Sequence, residues 1–311
     1  MIAIRALKTF PPELELATLE IAAGLGALYG EPAQQAYRRV APTLLSVALT
    51  SPEAYAWGAF DEGRFAGFLI ALVRDAAAEI SLFHLLHAFT GRGIEDALLR
   101  HAVAAIRALG IEHIVFDAVP YCSLSLEDTF SGLGFTTIER QLLEAPLVHG
   151  GLGPACRRHA TQPANETHWP EMARCLADTY RDNPNRPIHL ETRSAAHALD
   201  YIQRVATGGF GHLHEDYLRV VLRDGVCMGF ILGCEIVPGW GFVLHVAVRP
   251  EYAGHGIGTD LVRDLAAVFH ARGMENISLG VTSDNPARRL YERLGFRKSR
   301  DVAARFWRKT G

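Results

Sequence analysis

The sequence predicts an α/β protein, α+β in the mixing of its sheets, built from two tandem copies of one domain with a mixed central sheet flanked by helices. Three observations carry this reading. First, motifs recur at a near-constant offset. EGRFAGFLIAL (Glu62 to Leu72) parallels DGVCMGFILGC (Asp224 to Cys234), 162 residues on. TGRGIEDALLRHAVAAIRALG (Thr90 to Gly110) parallels AGHGIGTDLVRDLAAVFHARG (Ala253 to Gly273), 163 on, and SGLGF (Ser131 to Phe135) parallels ERLGF (Glu292 to Phe296), 161 on. Second, each copy holds two β-rich runs joined by a short Asp/Glu/Gly turn. Third, a further β-rich run in each copy passes through alternating glycines into an amphipathic helix. A helix between two strands implies a parallel crossover.

The elements follow in order. Copy one opens with a helical region over Pro12 to Leu49, broken by Gly and Pro. Tyr55–Phe60 and Phe65–Val73 are strands joined at Asp61-Glu62-Gly63, a hairpin signal. Ala145 to Glu166 is rich in Gly, Pro, His and Arg without periodicity, and reads as a linker plus the first strand of copy two. Copy two repeats the order with helices over Trp169 to Ala206, then strands Tyr217–Leu222 and Cys227–Ile236 joined at Arg223-Asp224-Gly225. His245 to Val248 is a fourth strand ending at Arg249-Pro250. From Thr259 the pattern turns helical, with Leu261, Val262, Leu265, Ala266, Val268 and Phe269 on one face up to Gly273. Asn276–Val281 is a strand, Ala287–Leu294 a short helix begun by Asn285-Pro286, and a last strand follows Gly295-Phe296. The two copies divide as 1–148 and 149–311.

Composition bounds the function classes. A chain of 311 residues has room for two ordinary domains, and 49% hydrophobic with 21% charged residues marks it as globular. The net charge of −3 and the lack of a long basic run argue against a nucleic-acid partner. Arg288-Arg289 and Arg305 to Lys309 read as solvated faces. No apolar run reaches membrane-spanning length, and the N-terminal stretch has no signal-peptide core. The expectation is a cytoplasmic protein without a membrane partner. Cys122, Cys156, Cys175, Cys227 and Cys234 are odd in number without CxxC spacing, which reads as reduced thiols. Clustered metal-ligand spacing is absent despite 14 histidines.

The chemistry concentrates in AGHGIGTD. Gly254, Gly256 and Gly258 alternate with His255 and Ile257, directly before the long helix. Bare backbone N–H groups at a helix entry, with the helix dipole behind them, suit a phosphate or diphosphate. The plainer alternative is a tight turn needing positive φ, for which one glycine suffices. A Walker loop would need Lys before Ser/Thr, where Gly258-Thr259 stands. A dinucleotide fingerprint would need glycine where Thr259 stands.

Together with NPARRLYERLGF, this turn resembles the GNAT superfamily of acyl-CoA-dependent N-acyltransferases. The family turn reads Arg/Gln-x-x-Gly-x-Gly/Ala, and its later segment reads N-x-x-A-x-x-L-Y-E-x-x-G-F. Gly256, Gly258, Ala287, Leu290, Tyr291, Glu292, Gly295 and Phe296 match in spacing. Ala253 stands in the Arg/Gln position and Asp284 in the Asn position, with Asn285 one residue late. The tandem form is similar in architecture to mycothiol synthase, which says nothing of the substrate. The resemblance implies acetyl-CoA as cofactor and a small-molecule or peptide amine as acceptor. It implies that the backbone of Val246, Ala247 and Val248 holds the pantetheine arm, and that the amides of Gly254, His255, Gly256, Ile257, Gly258 and Thr259 hold the diphosphate. It also implies that Tyr291 is the general acid; a packing aromatic is the alternative. Asn285 either touches the pantetheine or caps the short helix. His245 is the candidate general base, able to accept a proton near neutral pH, with Glu191, Glu215, Asp216 and a water relay as alternatives. NPNRPIHLETR (Asn183 to Arg193) is expected to shape the acceptor pocket.

Copy one departs where chemistry is expected. Glu95 replaces Gly258, and a carboxylate repels a diphosphate. Phe130 replaces Tyr291. Copy one therefore reads as a degenerate domain; the alternative is that it still binds acyl-CoA. The reading for the whole chain is an N-acetyltransferase acting through copy two, favoured as a monomer. A non-catalytic acyl-CoA sensor or scaffold is the second class, and a nucleotide-dependent oxidoreductase a distant third.

Overall fold

The computed structural model describes residues 1–9, 11–117, 126–148, 152, 158–207 and 213–309. The chain forms two compact units. Unit 1 holds Met1–Ile138 and the end of the chain from Ala303 onward; unit 2 holds Glu139–Val302.

Unit 1 begins with β1 (Ile2–Ala6), then α1 (Leu14–Tyr29) and α2 (Glu31–Thr50). β2 (Ala54–Asp61), β3 (Arg64–Arg74) and β4 (Ala77–Leu85) form an antiparallel meander, with β1 antiparallel to β2 at its edge. The β2–β3 turn places Glu62 at φ 50° and Gly63 at φ 83°, the twin left-handed pair of a tight hairpin turn. α3 (Ile94–Ala108) crosses over to β5 (His113–Phe116), which lies parallel to β4, and α4 (Glu127–Gly132) follows. β1 is absent from the sequence reading: its side chains are mostly exposed, so it carries little apolar alternation.

Unit 2 repeats this plan. β7 (Gln162–Pro163), α5 (Trp169–Tyr180) and α6 (Ala195–Ala206) precede a second meander, β8 (Leu218–Arg223), β9 (Val226–Val237) and β10 (Trp240–Val248). Tyr217 lies in a 3-10 turn just before β8 rather than within the strand. β10 starts five residues before His245, because the turn at Gly239 (φ 81°) returns the chain into the sheet earlier than the apolar run shows. α7 (Ile257–Ala271) crosses to β11 (Asn276–Thr282), parallel to β10, and α8 (Arg288–Arg293) follows. α7 lays Leu261, Leu265 and Phe269 on one face of the sheet, while α5 and α6 cover the other with Met172, Leu176, Ile202 and Val205.

The units do not coincide with the halves 1–148 and 149–311. β6 (Thr136–Pro146) follows unit 1 in sequence, yet its residues Arg140–Pro146 pair antiparallel with β11 in unit 2. β12 (Arg297–Arg308) ends the chain, and its residues Arg305–Arg308 pair antiparallel with β5 in unit 1. The closing strands are thus exchanged. Both follow the same short-helix motif, so the repeat cannot say which sheet each one joins.

Candidate active site

In unit 2 the site begins where β10 leaves β11. The parallel register runs from Trp240↔Asn276 to Val243↔Leu279 and stops there, although both strands continue. The β10 edge from Leu244 to Val248 therefore lacks a strand partner on that side among the described residues. A bulge between Val243 and His245 in the pairing with β9 marks the same point. Its effect is to re-aim side chains. Val243 packs with the α7 core, whereas Leu244 packs with the α5–α6 core, and alternation then resumes with Val246 and Val248 on the α7 side and Ala247 on the other. His245, 7% exposed, falls on the α5–α6 side, opposite Val246 as strand alternation requires.

There His245 meets a ring of polar and aromatic groups. Its Nε2 lies 2.9 Å from Glu191 Oε1, and His189 Nδ1 lies 3.1 Å from the same oxygen. Burial alone would raise the Glu191 carboxyl. The hydrogen bonds and charge of the two imidazoles outweigh it and hold the group well below the usual carboxylate range. An ionised carboxylate only accepts, so both ring nitrogens donate, which leaves His245 Nδ1 as the basic nitrogen. Tyr201 packs edge-on against His245 with centroids 5.3 Å apart, and Tyr180 against His189 at 4.8 Å. Burial, then the charge of Glu191 and the nearby Tyr291, push the Tyr180 hydroxyl far above its ordinary value.

Glu191 and His189 lie in the segment Asn183 to Arg193, which also reaches the second strand of the gap. Asn185 Nδ2 donates to Thr282 Oγ1 of β11 at 2.8 Å. The segment thus touches both strands where they separate. The donor atoms of His189, Glu191 and His245 lie within 4.8 Å of one another, a three-ligand set of the kind that binds divalent metals. Sequence spacing shows no such cluster, because the fold joins residues 54 positions apart (245 − 191). Glu215 and Asp216 are not brought there. Asp216 pairs with Arg272 at 2.7 Å, just past the last turn of α7, the end opposite the glycines.

Tyr291 lies on the α7 side of the sheet, 6% exposed, edge-on to Phe296 at 5.9 Å. Burial pushes its hydroxyl far above the ordinary tyrosine value, so it stays protonated. His245 and Tyr291 therefore lie on opposite faces of the sheet, at its opening. Asn285 Oδ1 accepts from Ala287 N at 2.9 Å at the start of α8, which is the capping geometry.

β10 runs on into the glycine turn. Thr179 Oγ1 of α5 donates to Val248 O at 3.2 Å, and Arg249 pairs with Glu171 at 3.1 Å and Asp178 at 3.6 Å. Gly254 (φ 80°) and Gly256 (φ 93°) both occupy the left-handed region. Gly256 caps α7, whose first bonded amide is Asp260 N to Gly256 O at 3.1 Å. The preceding amides of the first turn have no intrahelical acceptor. Gly258 corrects the expectation that all three glycines serve the turn: it has ordinary helical backbone. A Cβ there would stand 3.6 Å from Leu290 and 3.7 Å from Val248, normal contact.

Unit 1 keeps the scaffold without the groups. Gly91 (φ 73°) and Gly93 (φ 74°) repeat the turn. There Glu95 folds back, accepting from Gly91 N at 3.3 Å through Oε1, with Oε2 buried and without a hydrogen-bond partner among the described residues. The bulge recurs between Ile70 and Ala71, and the residue facing Ile70 is Leu82. His245 faces Leu232, the repeat of Ile70 at 162 residues, so Leu82 stands where unit 2 has histidine. Phe130 is buried against Phe116 and Phe135 with no hydroxyl. Cys175, Cys227 and Cys234 are free and buried, with the Cys234 thiol pushed up to about 12 by burial. Cys122 and Cys156 lie outside the described residues. No described helix is long and apolar enough to cross a membrane.

A meander with a splayed parallel pair and a strand–glycine turn–helix is the architecture of an acyl-CoA-dependent transferase fold, present here twice. The Acetyltransferase (GNAT) family matches residues 23–135 and 172–296, more than half of the chain, and the chain belongs to that family. Curated relatives include the [ribosomal protein bS18]-alanine N-acetyltransferase of Haemophilus influenzae, 31% identical over 83 residues, 26% of this chain and 56% of that protein. The enzyme of the same name from Escherichia coli K12 is 30% identical over 112 residues, 36% of this chain and 72% of that protein. The chain thus spans little more than half the length of the first of these. Among solved structures, a GCN5-related N-acetyltransferase from Sphaerobacter thermophilus aligns with TM-score 0.68 at 16% identity, covering 99% of this chain and 95% of that one. A tandem GNAT protein from the clavulanic acid biosynthesis pathway aligns with TM-score 0.62 at 15% identity, over 99% and 98%. These two likenesses concern the fold.

Proposed function

We propose that the chain is an acetyl-CoA-dependent N-acetyltransferase in which unit 2 carries the reaction and unit 1 has lost it. The observation that supports this most is the splay of β10 from β11 after Val243, on the strand that leads into the left-handed glycine turn. The open backbone edge from Leu244 to Val248 fits the amides of a pantetheine arm. The glycine turn and first amides of α7, from Gly254 to Thr259, fit a diphosphate. When bound, acetyl-CoA supplies an acyl group activated as a thioester. His245 accepts the proton of the acceptor amine through Nδ1, while Glu191 fixes the ring and stabilises its charged form. Tyr291 keeps its proton by burial and is the donor for the departing sulfur. Asn183 to Arg193 shapes the acceptor side. The relatives' names support an amine acceptor, whether a small molecule or a peptide.

The test is thiol release from acetyl-CoA across a panel of amines and peptide N-termini. Tyr291→Phe and His245→Ala are each expected to lower kcat by roughly 10²- to 10⁴-fold with acetyl-CoA affinity retained. A wild type that binds acetyl-CoA without turnover on any amine would favour the sensor reading instead.

A further inference from the structure

The glycine turn offers backbone amides, but its own side chains offer little positive charge. Ala253 is a methyl group where the family motif has Arg or Gln. Arg249 is committed to Glu171 and Asp178 on α5. The His255 ring turns back to its own turn, with Nδ1 3.0 Å from Ala253 O. A second observation supplies the missing cation from elsewhere in unit 2. Asp260, in the first turn of α7, is only 2% exposed. One of its oxygens accepts from Arg158 N at 3.1 Å, His159 N at 3.0 Å and His159 Nδ1 at 2.8 Å. Three bonds to one buried carboxylate pin residues 158 and 159 to the helix entry. Arg158 Cδ consequently lies 3.7 Å from where a Cβ on Gly256 would stand, and the residue is exposed. Its guanidinium extends from just over the left-handed glycine.

We propose that Arg158, delivered by Asp260, binds the diphosphate of the acyl-CoA donor in place of the side chain that Ala253 lacks. The inference rests on the acetyl-CoA reading above. A guanidinium suits this task because its planar fork pairs with phosphate oxygens in two parallel hydrogen bonds. The arrangement belongs to unit 2 alone, because Ala97 stands in the place of Asp260 in copy one, 163 residues earlier.

The experiment is calorimetric titration of the full chain with acetyl-CoA and with S-acetyl-pantetheine, which has no diphosphate. Arg158→Ala should weaken acetyl-CoA on the order of 10- to 100-fold, the range of a lost charge-assisted pair. It should leave S-acetyl-pantetheine unchanged and raise KM for acetyl-CoA without lowering kcat. Adding Ala253→Arg to Arg158→Ala should restore most of the affinity, which a merely structural role for Arg158 would not allow. Equal acetyl-CoA affinity in wild type and Arg158→Ala overturns this inference and leaves the acetyl-CoA reading intact. An equal loss for both ligands overturns it in favour of a folding role. Failure of the wild type to bind acetyl-CoA overturns both.

Discussion

Glu191→Gln isolates the charge of the histidine-bridging carboxylate from its shape. In the native protein one oxygen accepts from His189 at 3.1 Å and from His245 at 2.9 Å. Glutamine keeps an oxygen of the same reach, so both hydrogen bonds can persist as neutral ones. A charge-assisted bond contributes about 1.5–3 kcal/mol net and a neutral one about 0.5–1.5. The loss is then about 1–1.5 kcal/mol per bond, or about 2–3 kcal/mol for the pair. The sign with pH follows from the depressed carboxyl. Because its folded value lies below its unfolded value of about 4.3, the stabilisation is fully present above that pH and is lost as pH falls through the folded value. The deficit of Glu191→Gln, measured by urea unfolding, should be about 2–3 kcal/mol near neutrality. It should narrow by up to about 1.4 kcal/mol for each pH unit below about 4.3. Acetyl transfer should fall on the order of 10- to 100-fold with acetyl-CoA affinity unchanged. A deficit that stays constant from neutral to acid pH would refute the ionised-carboxylate account, and unchanged kcat would remove Glu191 from the reaction.

The other predictions concern the repeat and the core. Glu95→Gly withdraws the carboxylate that lies on the Gly91 amide, so calorimetry with acetyl-CoA should move from one site per chain toward two; a stoichiometry fixed at one would show that the turn alone does not make unit 1 competent. Gly241→Ala places a Cβ 2.2 Å from the Phe269 ring, which must shift, and should cost about 1–3 kcal/mol in chemical denaturation. An undiminished midpoint would show that the α7 face yields more easily than its packing implies.

Much of this protein was legible in its sequence because the signals are local. The 162-residue repeat, the hairpin turns at Glu62-Gly63 and Asp224-Gly225, the amphipathic face of α7 and the Tyr291 motif each sit within a few residues of one another. Backbone conformation and helical periodicity are set at that range. What the sequence left open depends on pairings between distant segments. Glu191 became the partner of His245 only through the packing of Asn183–Arg193 across the sheet opening, whereas Asp216, an equal candidate by residue type, went to Arg272 at the far end of α7. The side of the sheet that His245 faces depends on a bulge, and a bulge is a property of two strands in register rather than of one. The exchange of β6 and β12 between units follows the same logic, since two strands with the same pattern are distinguished only by the sheet edge each one meets. The sequence thus determined the fold of each copy and the nature of its chemistry. Tertiary structure decided which charges meet, because hydrogen bonds and ion pairs act over a few ångströms in space and carry no signature along the chain.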